Sequence, residues 1–221
     1  MEAYYARRAA EYEKIYDKPE RQADLARLRS ELPARFKGER VLEVACGTGY
    51  WTPLIAAQAE SVVAVDAAKE TLEIARRKTY ARGNVSFEQG DAYALPAWPR
   101  RFSAGFAGFW WSHIPLGRMN AFLQGLAARL EPGALVVFLD NRYVDGSSTP
   151  ISRRDAQGNT FQQRILADGS SHEVLKNFPT APEMRTRLAP FGSEITFSEY
   201  QYYWVASYRI ISGTTSGGGA R

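Results

Sequence analysis

Cysteine is nearly absent from this chain of 221 residues, in which Cys46 is the only one. A single cysteine cannot form a disulfide within the chain, and this fits a reducing compartment, so we expect a cytoplasmic protein. No apolar run approaches the roughly 18 residues needed to cross a bilayer. Residues 1–16 are charged and rich in tyrosine, unlike a signal peptide. We therefore expect no membrane partner.

A clustered basic patch is also missing. The formal net charge is +4, but Lys and Arg are spread among Asp and Glu, and the longest basic runs are pairs such as Arg76-Arg77. Proteins that bind nucleic acids usually concentrate their basic residues in one patch. We therefore expect no nucleic-acid partner.

Short apolar runs alternate with helix-like segments through the first two thirds of the chain. Runs typical of buried strands end near residues 45, 66, 88, 109 and 139. This alternation predicts an α/β fold with a mostly parallel sheet and helices on both faces. Because crossovers between parallel strands are right-handed, the carboxyl ends of the strands share one edge of the sheet, where we expect the site.

The pattern changes after residue 140. Residues 141–159 are polar and rich in turn residues, so they predict a loop. Residues 160–166 and 172–178 predict a β-hairpin, with Asp168-Gly169 as a two-residue turn. We interpret this inserted hairpin as a lid.

The two-residue turn also predicts the register of the hairpin. It sets Arg164 opposite Glu173 as a cross-strand ion pair. The residues predicted to share one face are Phe161, Ile165, Val174 and Lys176.

The length predicts a single domain, residues 1–211, with room for a cap and an insert. Its predicted parts are an N-terminal helical cap (1–37, with helices over 2–16 and 19–31), a cofactor-binding core (38–140), an insert or lid (141–178), and a C-terminal helix with two strands (179–211). Residues 212–221 are rich in Gly, Ser and Thr and predict a disordered tail.

A turn rich in glycine follows the first strand-like run, where residues 43–49 read Glu-Val-Ala-Cys-Gly-Thr-Gly. Glycines let a backbone approach a ligand closely, and the next helix N-terminus offers free N–H groups. A dinucleotide fingerprint would have its third glycine where Thr52 stands, and the lysine of a P-loop is missing. Asp66 and Asp91 follow the next two strands and could accept hydrogen bonds from ribose hydroxyls and an adenine amine. A ligand with adenine, ribose and a cationic centre, but without phosphates, fits best.

These motifs, in this order, resemble those of class I S-adenosylmethionine-dependent methyltransferases. The resemblance rests on residues 43–49, on Val65-Asp66, on residues 89–92 and on residues 131–135. It implies a Rossmann-like fold, with a seven-stranded, mostly parallel sheet, helices on both faces, an N-terminal helical cap and an inserted β-hairpin lid after strand five. It also implies S-adenosylmethionine as cofactor, S-adenosylhomocysteine as product, no metal, and a small-molecule methyl acceptor.

A more extensive resemblance covers nearly the whole chain. Residues 4–12, 47–52, 113–115 and 166–178 are similar to the small bacterial natural-product O-methyltransferases that act in dehydrophos (phosphonate) biosynthesis. This implies methyl transfer to an oxygen of an anionic phosphonate or carboxylate, or of a hydroxylated metabolite. N- or C-methylation and a non-catalytic S-adenosylmethionine-binding protein stay open as alternatives, because proteins that share a fold differ in their sites.

The resemblance assigns cofactor binding to the glycine turn and to the ends of the first four strands. The residues concerned are Glu43, Ala45, Gly47, Gly49, Trp51, Asp66, Ala67, Asp91, Ala92, Phe109 and Trp110. Glu43 would act indirectly, Asp66 on the ribose and Asp91 on the adenine. For Trp51, packing in the core is a serious alternative.

The candidate acceptor contacts come from the cap, the end of strand four and the insert. They are Tyr5, Arg8, Tyr12, Trp111, Arg164 and Lys176. Most have a structural alternative, namely a tyrosine stripe in the core, tryptophan packing, or the pair of Arg164 with Glu173. Lys176 is the better candidate for binding an anion, because its predicted hairpin face is otherwise apolar. His113, just past strand four, is a candidate general base for a hydroxyl acceptor, or else a residue that starts a helix or orients the cofactor.

Overall fold

A computed structural model describes residue 13, residues 15–166 and residues 169–211. No helix in these ranges is long and apolar enough to cross a bilayer. The strands are β1 Arg40–Val44, β2 Ser61–Asp66, β3 Val85–Gln89, β4 Phe102–Gly108, β5 Leu130–Asn141, β6 Ile151–Arg154, β7 Thr160–Ile165, β8 Ser171–Leu175, β9 Gly192–Glu199 and β10 Tyr203–Ile210. The α-helices are α1 Gln22–Glu31, α2 Thr52–Ala56, α3 Lys69–Arg76, α4 Met119–Ala127 and α5 Ala181–Leu188.

Seven of the strands form one sheet in the order β3-β2-β1-β4-β5-β10-β9. β1 to β5 run parallel, and β10 is antiparallel to both of its neighbours. The predicted seven-stranded, mostly parallel sheet is therefore confirmed. The strand order reverses between β1 and β4, and ligands of such sheets bind at the carboxyl ends of the strands at this point.

The sheet separates two apolar cores. Alternate residues of β5 enter them, with Val136 and Phe138 on one face and Val137 and Leu139 on the other. α4 and α5 cover the first face, and α1 and α2 cover the second. A strand buried on both faces is continuously apolar, which explains why the run before residue 140 is so clear in the sequence.

Several element ends differ from the sequence-based expectation. The sequence predicts helices over 50–59 and 69–80 and a fifth strand over 134–139, but α2 is only five residues long and α3 ends at Arg76. β5 begins at Leu130, four residues earlier than expected, because the turn-like residues 131–133 continue the strand with an irregularity in its pairing to β4. The predicted helix over 19–31 is a 3₁₀ turn, Pro19–Arg21, followed by α1. The predicted helix over 2–16, except residues 13, 15 and 16, and the tail over 212–221 lie outside the described residues.

The insert (residues 141–178) contains a three-stranded antiparallel sheet in the order β6-β7-β8. The expectation that 141–159 is only loop is therefore wrong, because β6 pairs with β7. The predicted two-residue turn is also wrong. The N–H of Leu166 donates to the carbonyl of Ser170, so three residues separate the last paired positions, and Gly169 has a φ of +79°. A glycine in this left-handed conformation is typical of three-residue hairpin loops.

This extra loop residue shifts the register by one, which exchanges the two faces of the strand. Arg164 lies opposite His172, not Glu173, and Glu173 instead accepts from Arg153 Nε at 2.8 Å. The predicted shared face is wrong as well. Phe161 and Ile165 lie on the face of Leu175, whereas Gln162 and Arg164 lie on the face of Val174 and Lys176.

Candidate functional site

The turn after β1 has a backbone that favours glycine. Ala45, Gly47 and Gly49 have φ values of 55°, 56° and 70°. A Cβ on Gly49 would lie 3.0 Å from Ala75 Cβ and 3.2 Å from the Tyr80 hydroxyl. Gly49 therefore allows α3 to pack against the turn, as well as the positive φ.

Asp66 links this turn to the connection between β2 and α3. Its Oδ2 accepts from Gly47 N at 2.8 Å, and its Oδ1 accepts from Ala68 N at 2.9 Å and from Thr71 Oγ1 at 3.1 Å. Burial raises the pKa of Asp66, although these bonds favour the ionised form. Each carboxylate oxygen accepts about two hydrogen bonds, so Oδ2 keeps capacity for a ligand hydroxyl.

Glu43 lies inside β1, 2% exposed, directly before the turn. Burial raises its pKa to about 8. Its Oε2 has no hydrogen-bond partner among the described residues. A buried carboxyl oxygen that lacks a partner fits a site for a cationic ligand such as S-adenosylmethionine, since a nearby positive charge would favour its ionised form.

Replacing Glu43 with Gln is expected to change how stability depends on pH. In the cofactor-free protein, folding raises the pKa of Glu43 above its unfolded value of about 4.3, so the folded state binds the extra proton between about pH 4.5 and pH 8. The free energy of unfolding should therefore fall across this window as the pH rises, and Glu43 contributes up to about 1.4 kcal/mol per pH unit to this fall. Urea unfolding at several pH values should show this slope reduced in Glu43→Gln. If the free energy of unfolding depends on pH equally in wild type and Glu43→Gln, the raised pKa of Glu43 is contradicted.

The ends of β2 and β3 bring the adenine-side candidates together. The side-chain amide of Gln89 donates to the carbonyl of Ala67 at 2.9 Å, which ties the two strand ends. Ala92 is buried, whereas Asp91 is exposed and its Oδ1 accepts from Tyr93 N at 2.9 Å. Asp91 is thus oriented by its own loop at the edge of the crevice.

Aromatic side chains line the end of β4. Phe109 is buried with a φ of 60°, and its ring lies edge-on to Tyr16 at 5.6 Å. Trp51 is buried and lies 6.4 Å from the same tyrosine ring. Trp110 is half-buried, with its ring 5.8 Å from that of Tyr93.

Trp111 belongs to the core of the sheet. It is 2% exposed, and its ring lies 5.0 Å from Phe138 and 6.2 Å from Trp204. This placement corresponds to the packing alternative, and an acceptor contact by Trp111 stays a prediction.

His113 is buried in the 3₁₀ turn Trp111–His113. Its Nδ1 lies 2.8 Å from the carbonyl oxygen of Leu175. Since a carbonyl only accepts, Nδ1 carries the proton and Nε2 carries the lone pair. Burial lowers the pKa of His113 well below its usual range, and the charge of Lys176 lowers it further, so the imidazole is neutral near pH 7.

Lys176 forms a buried ion pair that the sequence analysis missed. Its Nζ donates to Asp140 Oδ1 at 2.9 Å and to Ser112 Oγ at 2.6 Å, and Lys176 and Asp140 are 4% and 0% exposed. The expectation of an ammonium on an otherwise apolar hairpin face is therefore wrong. Asp140 directly follows an apolar run in the sequence, as Asp66 does, and this signal could have identified it.

Arg164 of β7 points toward the same region. Its Nη2 donates to Gln162 Oε1 at 2.9 Å, while its buried Nε has no partner among the described residues. The charges of Arg164 and Lys176 both lower the pKa of His113, after the larger effect of burial. The structure thus brings together the insert candidates and His113.

Tyr5, Arg8 and Tyr12 lie outside the described residues. The nearby described residues contact the glycine turn, a contact that the sequence analysis did not predict. Glu13 Oε1 accepts from Thr48 Oγ1 at 2.7 Å, and the ring of Tyr16 stacks on that of Tyr50 at 3.6 Å.

Comparison with known proteins relates this geometry to a family. Residues 41–133 match a family model described as a methyltransferase domain. The demethylmenaquinone methyltransferase of Staphylococcus aureus (strain MRSA252) is 33% identical over 107 residues, which are 47% of this chain and 44% of that protein. The corresponding enzyme of Staphylococcus saprophyticus is 32% identical over 120 residues, covering 53% of this chain and 49% of that protein. The chain thus spans about half the length of these curated relatives.

Solved structures match over more of the chain. A complex of DhpI with SAH has a TM-score of 0.74 and 29% identity, and the match covers 95% of both chains. Residues 41–133 are therefore a methyltransferase domain, and the likeness to DhpI supports the class I S-adenosylmethionine-dependent family. A second DhpI structure, described as a SAM-HEP complex, has the same TM-score and identity and covers 93% of this methyltransferase and 94% of DhpI. The predicted family is confirmed, and the roles of individual site residues stay predictions.

Proposed function

We propose that this methyltransferase transfers a methyl group from S-adenosylmethionine to an oxygen of a small anionic metabolite, a phosphonate or a carboxylate. The observation that carries the proposal is an excess of positive charge beside His113. Lys176, Arg164 and Arg21 all act electrostatically on this region, whereas Asp140 is the fully buried carboxylate that opposes them.

Arg21 strengthens this argument. It is 7% exposed, and its described hydrogen-bond partners, Asn141 Oδ1 and Ser147, are neutral. Burying a charge is costly unless an opposite charge or several hydrogen bonds compensate it. Arg21 already donates four hydrogen bonds, which offset part of this cost, and an anionic acceptor nearby would supply the opposite charge that is missing from the described hydrogen-bond partners of both Arg21 and Arg164.

Different groups of the described residues would bind the cofactor, exclude water and align the acceptor. S-adenosylmethionine supplies, when bound, a methyl group activated by a sulfonium charge. The turn at Gly47 and Gly49 with Asp66 would hold the adenosyl part, and Phe109 and Trp110 would exclude water at the methyl end. Lys176 and Arg164 would align the acceptor oxygen for in-line attack, because alignment in a dry site is the main contribution that such a reaction needs.

An anionic acceptor needs no general base, whereas a neutral hydroxyl does. His113→Asn keeps a donor that can reach the Leu175 carbonyl but removes the Nε2 lone pair. We expect turnover of anionic acceptors to stay within about threefold, and turnover of hydroxyl acceptors to fall about 100-fold or more. Steady-state kinetics with one acceptor of each class measures both. An equal loss for both classes would indicate that His113 orients the cofactor or the fold instead.

The direct test measures S-adenosylhomocysteine release by the full chain with a panel of small phosphonates, carboxylates and phenols. We expect faster turnover with anionic acceptors than with neutral phenols. The resemblance of residues 4–12, 47–52, 113–115 and 166–178 to O-methyltransferases of phosphonate biosynthesis supports testing phosphonates first. A protein that binds S-adenosylhomocysteine but turns over no acceptor would favour a non-catalytic binding protein. Turnover confined to amines or carbon acceptors would favour N- or C-methylation.

A further inference from the structure

One carboxylate at the end of β5 joins several segments of the chain. Asp140 Oδ2 accepts from the backbone N–H of Ser112 at 2.9 Å and from its hydroxyl at 2.7 Å. Asp140 Oδ1 accepts from Lys176 Nζ at 2.9 Å and from Asn141 N at 2.7 Å. The side chain of Asn141 in turn accepts from Arg21 Nη1 at 3.0 Å. The carboxylate is fully buried, so the bonds form in a region that excludes water.

The same carboxylate fixes the turn after β4 against the insert. Ser112 precedes His113, whose Nδ1 donates to the carbonyl of Leu175, the residue before Lys176. Asn177 continues the contact, since its backbone N–H donates to the Ser112 carbonyl at 2.8 Å and its side chain donates to the Ile114 carbonyl at 3.1 Å. Residues 112–114 and 175–177 are therefore joined by hydrogen bonds into one wall.

We propose that Asp140 is the positioning residue of the acceptor site, which it serves without touching the acceptor. The inference rests on the proposed function. An ammonium has three N–H donors, and Lys176 directs one to Asp140 and one to Ser112. The third is the donor for an anionic oxygen of the acceptor. Asp140 thus orients this donor. Through its hydrogen bonds with Ser112 and Asn141 it also helps to position His113 and Arg21.

The positioning role predicts that acceptor binding in an Asp140 variant depends on pH, whereas a purely structural role does not. The charged and titratable groups that face Lys176 are Asp140 of β5, His113 after β4, Arg164 of β7 and Arg21 before α1. Burial lowers the pKa of Lys176, and Arg164 and Arg21 lower it further, whereas Asp140 raises it. Without this carboxylate, Lys176 should lose its proton at a lower pH and bind the acceptor progressively less well as the pH rises.

The test compares wild type and Asp140→Asn, with Asp145→Asn as a matched control on the exposed loop that follows. Methylphosphonate is the acceptor, and isothermal titration measures S-adenosylhomocysteine binding. For Asp140→Asn we expect the KM for methylphosphonate to rise at least 30-fold at pH 7 and a further tenfold between pH 6.5 and pH 8.5. The affinity for S-adenosylhomocysteine should stay within threefold of wild type. Wild type and Asp145→Asn should change KM less than threefold over the same pH range.

Ser112→Ala keeps the ion pair and tests the inference if Asp140→Asn does not fold. It removes one acceptor of Lys176, so we expect the KM to rise about five- to tenfold without a new pH dependence. The inference is overturned if Asp140→Asn keeps the wild-type KM and pH profile, or if it loses S-adenosylhomocysteine affinity in parallel with KM. An unchanged KM in Ser112→Ala also overturns it. Failure of wild type to methylate any anionic acceptor would instead refute the proposed function, and this inference with it.

Discussion

Replacing Asp66 with alanine is expected to raise the dissociation constant for S-adenosylhomocysteine at least 100-fold. The substitution removes the acceptor proposed for the ribose hydroxyls and the bond that holds Gly47 N at 2.8 Å. Hydrogen bonds to a charged group contribute about 1.5–3 kcal/mol each, and a loss of about 3 kcal/mol corresponds to more than 100-fold in affinity. Isothermal titration with S-adenosylhomocysteine measures the change directly.

Two control variants separate ligand binding from the local fold. Thr71→Val removes one internal bond to Asp66 but keeps the carboxylate, so its affinity should stay within about fivefold of wild type. Asp91→Ala, at the exposed edge of the crevice, should lose less affinity than Asp66→Ala. A wild-type affinity in Asp66→Ala would show that the carboxylate serves only the turn.

Replacing Lys176 with methionine is expected to destabilise the fold by about 3–5 kcal/mol, because Asp140 would stay buried without its counter-charge. The double variant Lys176→Met with Asp140→Asn removes both charges. Since a buried ion pair often contributes little net stability, the double variant should recover most of the loss. It should still be inactive on anionic acceptors, because the ammonium donor is gone.

Urea unfolding at pH 7 measures both variants, and Lys69→Met is a matched control on the surface. Lys69 is 70% exposed on its side chain and pairs with Glu73 only at 3.9 Å, so its removal should change stability by less than about 1 kcal/mol. A double variant that is no more stable than Lys176→Met would show that the two charges do not act as a pair.

The residues proposed for cofactor binding could be located from the sequence because the pattern that marks them is local. Gly47 and Gly49 lie within five residues of the end of β1, and Asp66 ends the next strand. Short-range patterns of this kind can be recognised in a single sequence, and they also give the order of the strands along the chain.

The acceptor half depends on contacts between distant residues. Lys176 and Asp140 are 36 residues apart, and Ser112 is 28 residues from Asp140, so no local pattern pairs them. The register predicted for the insert was wrong for a related reason. Two- and three-residue hairpin loops both use glycine, and a difference of one residue moved Lys176 from one face to the other.

The wall formed by residues 112–114 and 175–177 limits how the acceptor range can be redesigned. Chimeras that exchange only the insert would replace Leu175 and Asn177 while leaving their former partners in the turn after β4. Such grafts would leave the Ile114 carbonyl without the side-chain donor of Asn177, and a shifted insert backbone would also remove the partners of the His113 imidazole and the Ser112 carbonyl, which is costly. A transplant that carries both stretches together with Asp140 keeps those bonds and also the carboxylate that positions Lys176 and Ser112.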